Sequence, residues 1–265
     1  MSWNLCGIEL GSPLVAASGP LGWGKEFFEI FSTDGLGLFI PKTVTLKPKV
    51  GNPPPRIVET TGGLINSIGL ENDGVYEWLK LEDLYRSLDI PVMASIAGGS
   101  LEELSTLGEI MEKLDYIAGV ELNLSCPNVE GENWSNNATS VLEATRAVRK
   151  TYSRLLFVKL PPKDNIFPYI EAGRSGGADG FTLFNTLPAC DRIKGGLSGP
   201  AIKPIYIRLL KEIMGEIDIP VMASGGIMTE KDVRDYLSLR VKAVQIGTAF
   251  FKDPDIAKRI YQELQ

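Results

Sequence analysis

Eight short apolar runs, each followed by a segment with helical hydrophobic spacing, constrain the fold of this chain more than any other feature. They cover residues 14–18, 38–43, 92–97, 120–126, 155–160, 180–186, 221–225 and 243–248. Nearly continuous apolar runs of this length are typical of parallel strands buried on both faces. Eight strand–helix units in 265 residues predict an α/β fold of the TIM (β/α)8 barrel type, with residues 1–265 as one domain.

Connecting segments refine this prediction. No GxGxxG motif follows the first run, so the pattern does not favour a doubly wound dinucleotide-binding sheet. Ser100 and Thr229 each stand three residues before an acidic side chain, which predicts helix N-termini. Two long loops, 45–72 and 127–137, interrupt the repeat, and the prolines of the first favour a stiff flap over the carboxyl-end face of the barrel.

Charge and cysteine content exclude several classes of function. A formal net charge of -6 without a basic cluster argues against nucleic-acid binding. No apolar run reaches the length of a membrane-spanning helix. Cys6, Cys126 and Cys190 are far apart, so they predict no metal site and a reducing, cytoplasmic location, and three thiols are too few for an iron–sulfur cluster.

Polar side chains interrupt the apolar runs near their ends, where a barrel builds its active site. Lys42, Asn123 and Lys159 lie within such runs, and buried polar groups are costly unless they meet a partner. Similar positions at other strand ends are Ala17, Ser18, Gly19, Thr43, Cys126, Asn128, Asn185 and Thr186. We therefore expect a polar ligand at this end of the barrel.

Cys126 is the candidate general base. The chain has no histidine, the usual agent of proton transfer near neutral pH, and Cys126 stands between Asn123 and Asn128. A lone cysteine is more often a small buried apolar residue, so its own chemistry leaves both interpretations open.

Glycines at two strand ends and before one predicted helix predict a bound phosphate. Gly225 and Gly226 end the seventh run, Gly247 and Thr248 end the eighth, and a GGLSG segment at 195–199 precedes a predicted helix. Glycine permits close backbone approach, and barrels often hold phosphate after strands seven and eight. Either pair alone is better explained as an ordinary tight turn, and only the two at adjacent strand ends together favour a phosphate.

Five motifs together resemble one family. They are KTVTL at 42–46, GNPPPR at 51–56, INSIGLEN at 65–72, NLSCPN at 123–128 and GGLSGPAIKP at 195–204. From about residue 6 to 251 the chain is similar to the FMN-dependent dihydroorotate dehydrogenases of class 1. The triple proline and the KTVT form resemble the catalytic subunit of the NAD-linked (1B) type most.

This resemblance implies the cofactor FMN and a role for each matching residue. Cys126 would remove the C5 proton of dihydroorotate while C6 delivers a hydride to flavin N5, giving orotate for pyrimidine (UMP) biosynthesis. The implied substrate-binding residues are Lys42, Asn66, Ile68, Gly69, Leu70, Asn123, Asn128, Asn185 and Thr186. The implied FMN-binding residues are Ala17, Ser18, Gly19, Lys42, Thr43, Asn123, Lys159, Ser198, Gly199, Gly225, Gly226, Gly247 and Thr248. Lys159 alone could equally form a buried ion pair.

The resemblance also implies a homodimer and a separate subunit that carries FAD and an iron–sulfur centre. Two segments, 129–137 and 187–194, depart from the family pattern, so substrate identity is less firmly implied than flavin binding. An FMN oxidoreductase for another pyrimidine or cyclic amide is one alternative. A non-redox, phosphate-binding barrel that uses Lys159 covalently is a second, and a docking subunit that exposes Trp23, Phe27 and Phe28 is a third.

Overall fold

The secondary structure alternates strands and helices along most of the chain. A computed structural model describes residues 3–125 and 134–265. Its strands are β1 (Trp3–Leu5), β2 (Ile8–Leu10), β3 (Leu14–Ala16), β4 (Leu38–Phe39), β5 (Ile57–Thr60), β6 (Gly63–Asn66), β7 (Met93–Ile96), β8 (Gly119–Asn123), β9 (Leu156–Leu160), β10 (Gly180–Leu183), β11 (Leu187–Cys190), β12 (Lys194–Ser198), β13 (Val221–Ser224) and β14 (Ala243–Ile246). Its α-helices are α1 (Lys25–Phe28), α2 (Val75–Trp78), α3 (Glu82–Ser87), α4 (Leu101–Glu112), α5 (Ala138–Arg149), α6 (Phe167–Gly176), α7 (Lys203–Ile213), α8 (Glu230–Leu237) and α9 (Ile256–Leu264).

The eight predicted strands form one parallel sheet. Their order is β4-β3-β14-β13-β10-β9-β8-β7, and every neighbouring pair is parallel. A parallel bridge between Phe39 and Val92 joins the two outer strands and closes the sheet into a barrel. The prediction of a TIM barrel is confirmed, although the strands end two or more residues earlier than most of the apolar runs suggested.

Alternation along the strands separates two apolar cores. Side chains near the strand starts, including Leu38, Met93 and Phe157, fill the barrel interior together with Leu5 and Leu10 of the β1–β2 hairpin. This hairpin therefore closes the amino end of the barrel. The opposite faces of the same strands pack against the surrounding helices in the larger core.

Helix starts follow the predicted chemistry. Ser100 caps α4 by accepting a hydrogen bond from the Glu103 backbone N–H, and Thr229 and Asp232 form a capping box at α8. Trp23, Phe27 and Phe28, which could equally have formed a docking surface, pack against the main core. None of the helices within residues 3–125 and 134–265 is long and apolar enough to span a bilayer.

A second, antiparallel sheet corrects the prediction of irregular loops. Strands β5 and β6 come from the 45–72 loop, and they pair with β12 and β11 in the order β11-β12-β6-β5, which we call the cover sheet. The first four residues of the GGLSG segment at 195–199 belong to β12, and helical residues follow the segment as predicted. A Cβ on Gly196 would lie 2.0 Å from Thr186 Oγ1, so the absence of a side chain at Gly196 allows β12 to pack closely against Thr186.

Candidate active site

A cavity of about 480 Å³ lies between the carboxyl ends of the barrel strands and the cover sheet. This volume is typical of small-molecule sites. Its lining includes Ala17, Ser18, Gly19, Lys42, Thr43, Asn66, Ile68, Gly69, Leu70, Asn123, Lys159, Asn185, Thr186, Ser198, Gly199, Gly225, Gly226, Gly247 and Thr248. The structure thus brings together the predicted site residues that it describes. The candidate base Cys126 and the predicted ligand Asn128 lie outside the described residues.

We call the carboxyl ends of the barrel strands, where they line the cavity, the cavity floor. Hydroxyl groups there fix two amide side chains. Asn123 Nδ2 donates to Thr43 Oγ1 at 2.9 Å, and Asn123 Oδ1 accepts from Ser125 Oγ at 2.6 Å. Asn185 Nδ2 donates to the same Ser125 hydroxyl at 2.7 Å. Ser125, which the sequence reasoning missed, therefore sets the orientation of both amides. Its position two residues after Asn123 was the available signal.

Lys159 provides a buried positive charge on the cavity floor. Its side chain is 4% exposed, and Nζ donates to Gln245 Oε1 at 3.0 Å. Glu121 Oε1 lies 3.5 Å from the same nitrogen. Lys159 therefore lines the cavity and also belongs to a buried ion pair. The two interpretations of its sequence position, a ligand-facing lysine and a buried ion pair, are compatible.

Lys42 provides a second cation at the edge of the cavity. Its Nζ donates to Glu71 Oε2 at 2.5 Å, and its side chain is 25% exposed. The hydrogen bond from Lys42 lowers the pKa of Glu71, and the nearby Arg56 lowers it further. Glu71 did not emerge as a site residue from the sequence, because a lone acid in a loop carries no distinctive signal.

The cover sheet and the proline-rich segment before it are held by hydrogen bonds among their own residues. Asn66 on β6 donates to the Gly196 carbonyl of β12 at 3.2 Å. In the proline-rich segment, Asn52 Nδ2 donates to Ser67 Oγ at 2.9 Å, and Arg56 Nε donates to the Asn52 carbonyl at 2.6 Å. These contacts link the segment that precedes β5 to the residues that follow β6.

The glycine turn after β13 is held by two buried tyrosines. Gly225 has a φ of +121°, and a Cβ there would lie 2.2 Å from the Tyr206 ring. Tyr236 Oη donates to the Gly225 carbonyl at 2.6 Å, and Tyr206 Oη donates to the Asn185 carbonyl at 2.7 Å. Burial raises the pKa of both tyrosines, so both stay protonated and can donate these bonds.

These features fit the requirements of a flavin mononucleotide. Lys159 can stabilise the negative charge of a reduced isoalloxazine ring. Gly225 and Gly247 line the cavity after β13 and β14, where backbone N–H groups can bind a phosphate. A Cβ on the cavity-lining Gly19 would meet nothing within 4 Å, so this wall has free space beside its backbone. The chemistry of the lining therefore matches both ends of the cofactor.

Other residues singled out in the sequence lie away from the cavity lining. Trp134 is 4% exposed and donates from Nε1 to the Gly98 carbonyl at 2.8 Å, so it is a packed side chain. Cys6 and Cys190 are exposed free thiols, and neither lines the cavity.

Comparison with known proteins agrees with this geometry. The model of the dihydroorotate dehydrogenase family matches residues 1–265. The chain belongs to the dihydroorotate dehydrogenase family. A relative from Geotalea uraniireducens, named dihydroorotate dehydrogenase B (NAD(+)), catalytic subunit, is 37% identical over 280 residues, covering 100% of this chain and 92% of the relative. A relative of the same name from Geobacter sulfurreducens is 38% identical over 282 residues, with coverage of 100% and 92%.

A solved dihydroorotate dehydrogenase shares the fold. The ligand-free DHODH structure from Eimeria tenella aligns with a TM-score of 0.85 and 21% identity, covering 99% of this chain and 86% of that one.

Proposed function

We propose that this chain oxidises dihydroorotate to orotate with FMN, within pyrimidine biosynthesis leading to UMP. The observation that carries the proposal is the convergence of two lysines, Lys42 and Lys159, with the amides of Asn66, Asn123 and Asn185 in one cavity. Family membership supports the same reaction, since the relatives above are named as catalytic subunits of dihydroorotate dehydrogenase B.

The cavity residues complement the substrate chemically. Dihydroorotate has a ring edged with amide N–H and C=O groups, and carboxamide side chains offer matching acceptors and donors. Its carboxylate requires a cation, and Lys42 at the cavity edge supplies one. We assign substrate binding to Lys42, Asn66, Ile68, Gly69, Leu70, Asn123, Asn185 and Thr186, together with Asn128 outside the described residues.

Cys126 is proposed as the base that removes the C5 proton. It follows Ser125, whose hydroxyl is held by the floor amides. An ordinary thiol has a pKa of about 8.5, so only a few per cent is thiolate at neutral pH. The rate of substrate oxidation is therefore expected to rise with pH through the titration of this thiol.

FMN, when bound, supplies the acceptor for the hydride that leaves C6 of the substrate. Lys159 would lie near the pyrimidine end of the ring system and stabilise negative charge there. The glycine turns would hold the phosphate through backbone N–H groups. We assign FMN binding to Ala17, Ser18, Gly19, Lys42, Thr43, Asn123, Lys159, Ser198, Gly199, Gly225, Gly226, Gly247 and Thr248.

The proposal includes partners. The relatives are named as subunits of an NAD(+) enzyme, and three cysteines cannot ligate an iron–sulfur cluster. We propose that a separate subunit with FAD and an iron–sulfur centre takes up the electrons, and that the core is a homodimer. Residues 1–265 would form a single FMN-binding domain.

Anaerobic reduction of the bound flavin tests the proposed reaction. Dihydroorotate is expected to bleach the flavin absorbance of the FMN-loaded protein, whereas dihydrouracil, which lacks the carboxylate, is not. Bleaching by dihydrouracil alone would favour an enzyme for another pyrimidine. A protein that takes up no FMN would favour a non-redox barrel enzyme.

A further inference from the structure

Glu121 is a carboxylate in the middle of the barrel interior. It lies on β8 two residues before Asn123, so both side chains point inward, and it is 0% exposed. The interior nearer the amino end is apolar, with Met93, Phe157 and Met222 in one cluster. A buried carboxylate is costly to desolvate, so this position requires a physical explanation.

Polar contacts connect Glu121 to the cavity. Its Oε2 accepts from Thr182 Oγ1 at 2.8 Å and from Gln245 Nε2 at 2.7 Å. Gln245 in turn accepts from Lys159 Nζ at 3.0 Å, and both Gln245 and Lys159 line the cavity. Glu121 thus holds Lys159 directly, as an ion pair, and indirectly, through Gln245.

One oxygen of Glu121 is incompletely satisfied. Oε1 has no hydrogen-bond donor among the described residues, and Lys159 Nζ lies 3.5 Å away, which is an ion-pair distance. Stability alone does not explain such a pair, because replacing a buried ion pair with apolar side chains is often neutral or stabilising. Its position directly behind a cavity-lining cation points to a role toward the ligand.

We propose that Glu121 is a positioning residue that holds Lys159 at the cavity floor. Its negative charge offsets that of Lys159, and this offset lowers the reduction potential of bound FMN. This inference rests on the proposed FMN binding. With the oxidised, neutral ring, the lysine and glutamate charges balance. Reduction places negative charge on the ring, and Lys159 would stabilise that charge more strongly if Glu121 were neutral.

The Glu121→Gln variant tests this inference in the FMN-loaded protein. Glutamine has nearly the same shape and can still accept from Thr182. We expect the equilibrium constant for two-electron reduction, measured against a reference dye, to rise at least about tenfold, which is about 30 mV more positive. An unchanged or more negative potential overturns the inference. A variant with a lower melting temperature and an unchanged potential overturns it as well, because Glu121 would then act on stability alone.

Two further variants keep the test decisive. Glu121→Asp retains the charge but withdraws it from Lys159, so a smaller positive shift is expected, and this variant serves if the glutamine variant does not fold. In a Lys159→Met background Glu121 has no lysine to hold or to offset, so adding Glu121→Gln is expected to shift the potential much less than it does when Lys159 is present. An equal shift in both backgrounds would contradict an action through Lys159.

Controls separate this inference from the proposed function. Glu112→Gln removes a carboxylate that lies away from the cavity lining and accepts hydrogen bonds from Ser153. The flavin reduction potential of this variant should equal that of the wild type. A wild-type protein that binds no FMN defeats the proposed function itself. A wild type that dihydroorotate reduces, with an unaltered potential in the glutamine variant, defeats only the role of Glu121.

Discussion

The cavity has two lysine–glutamate pairs, one on its floor and one at its edge, and the pairs differ in their surroundings. On the floor, the Lys159 and Glu121 side chains are 4% and 0% exposed. At the edge, the side chains of Lys42, which follows β4, and of Glu71, which follows β6, are 25% and 37% exposed. Charges interact strongly where water is excluded, whereas exposed pairs contribute little. The comparison indicates a water-excluded, preorganised floor for the proposed cofactor and a more exposed edge for the proposed substrate.

The hydrogen-bond partners show the same contrast. Floor amides are fixed by buried hydroxyls, as Ser125 fixes Asn123 and Asn185. The proline-rich segment before β5 is held largely by its own short-range contacts, such as the hydrogen bond from Arg56 to the Asn52 carbonyl. Changes on the floor should therefore affect chemistry and cofactor binding, and changes on the cover should affect substrate affinity and local stability.

The largest effect is expected for the thiol that follows the floor strand β8. Cys126→Ala removes the proposed base, so flavin reduction by dihydroorotate should slow by at least about a hundredfold. Stopped-flow absorbance measures this rate. Cys190→Ala is the matched control, because Cys190 is exposed and absent from the cavity lining. A near-normal rate in the Cys126 variant would remove the thiol from the mechanism.

A smaller effect is expected at the glycine turn of the floor. Gly225→Ala combines a left-handed φ of +121° with overlap of the Tyr206 ring. Backbone strain alone costs about 1–3 kcal/mol, and its relief together with that of the Tyr206 overlap displaces the turn from the proposed phosphate position, so FMN affinity should fall about tenfold or more. Fluorimetric titration of the apoprotein with FMN measures it.

Gly215→Ala is the control for this substitution, since a Cβ there would meet nothing within 4 Å. Equal FMN affinities in the two variants would show that the turn after β13 does not contact the cofactor.

A pair of hydroxyl deletions compares the floor and the cover directly. Ser125→Ala removes one hydrogen bond from each of the two floor amides, Asn123 and Asn185, whereas Ser67→Ala removes one contact to Asn52 in the proline-rich segment. Each lost hydrogen bond costs about 0.5–1.5 kcal/mol, so we expect orotate to bind about tenfold weaker to the Ser125 variant. Calorimetric titration should show a smaller loss for Ser67→Ala. The reverse order would contradict the assignment of floor and cover.

The smallest effect is expected for the exposed pair. The pKa of Glu71 is lowered in the folded protein, so its stabilising contribution is present above its unfolded pKa of about 4.3 and is lost as pH falls through the lower, folded value. Glu71→Gln should therefore lower the melting temperature at pH 7 by at most about 3 °C. This difference should vanish in strong acid, and a difference that persists there would have another cause.

Sequence predicted the barrel because strands buried on both faces must be apolar. The cover sheet was missed for an equally physical reason. Its strands β5 and β12 are half-buried and contain glycines or exposed side chains, so they lack a clear alternation and resemble turns. The length of β4, two residues, was also overestimated, because the polar residues after Phe39 line the cavity mouth instead of extending the strand.

Residues that touch the cavity were predictable because strand ends in a barrel meet there. Residues one contact further away were harder to predict, since Glu71 stands alone in a loop and Ser125 is marked only by its place two residues after Asn123. Gln245 lines the cavity itself but was missed, because a single amide inside the eighth apolar run carries little signal. Glu121 had a usable signal, an acid inside an apolar run and two residues before Asn123, but its partners come from distant strands.

A crystal structure of the protein with FMN and orotate tests the central claim most directly. The account predicts the flavin ring on the floor in contact with Lys159, the phosphate at the Gly225 and Gly247 turns, and orotate between the flavin and the cover with its carboxylate at Lys42. A flavin bound elsewhere, or an orotate carboxylate facing Glu121 without Lys42, would contradict it.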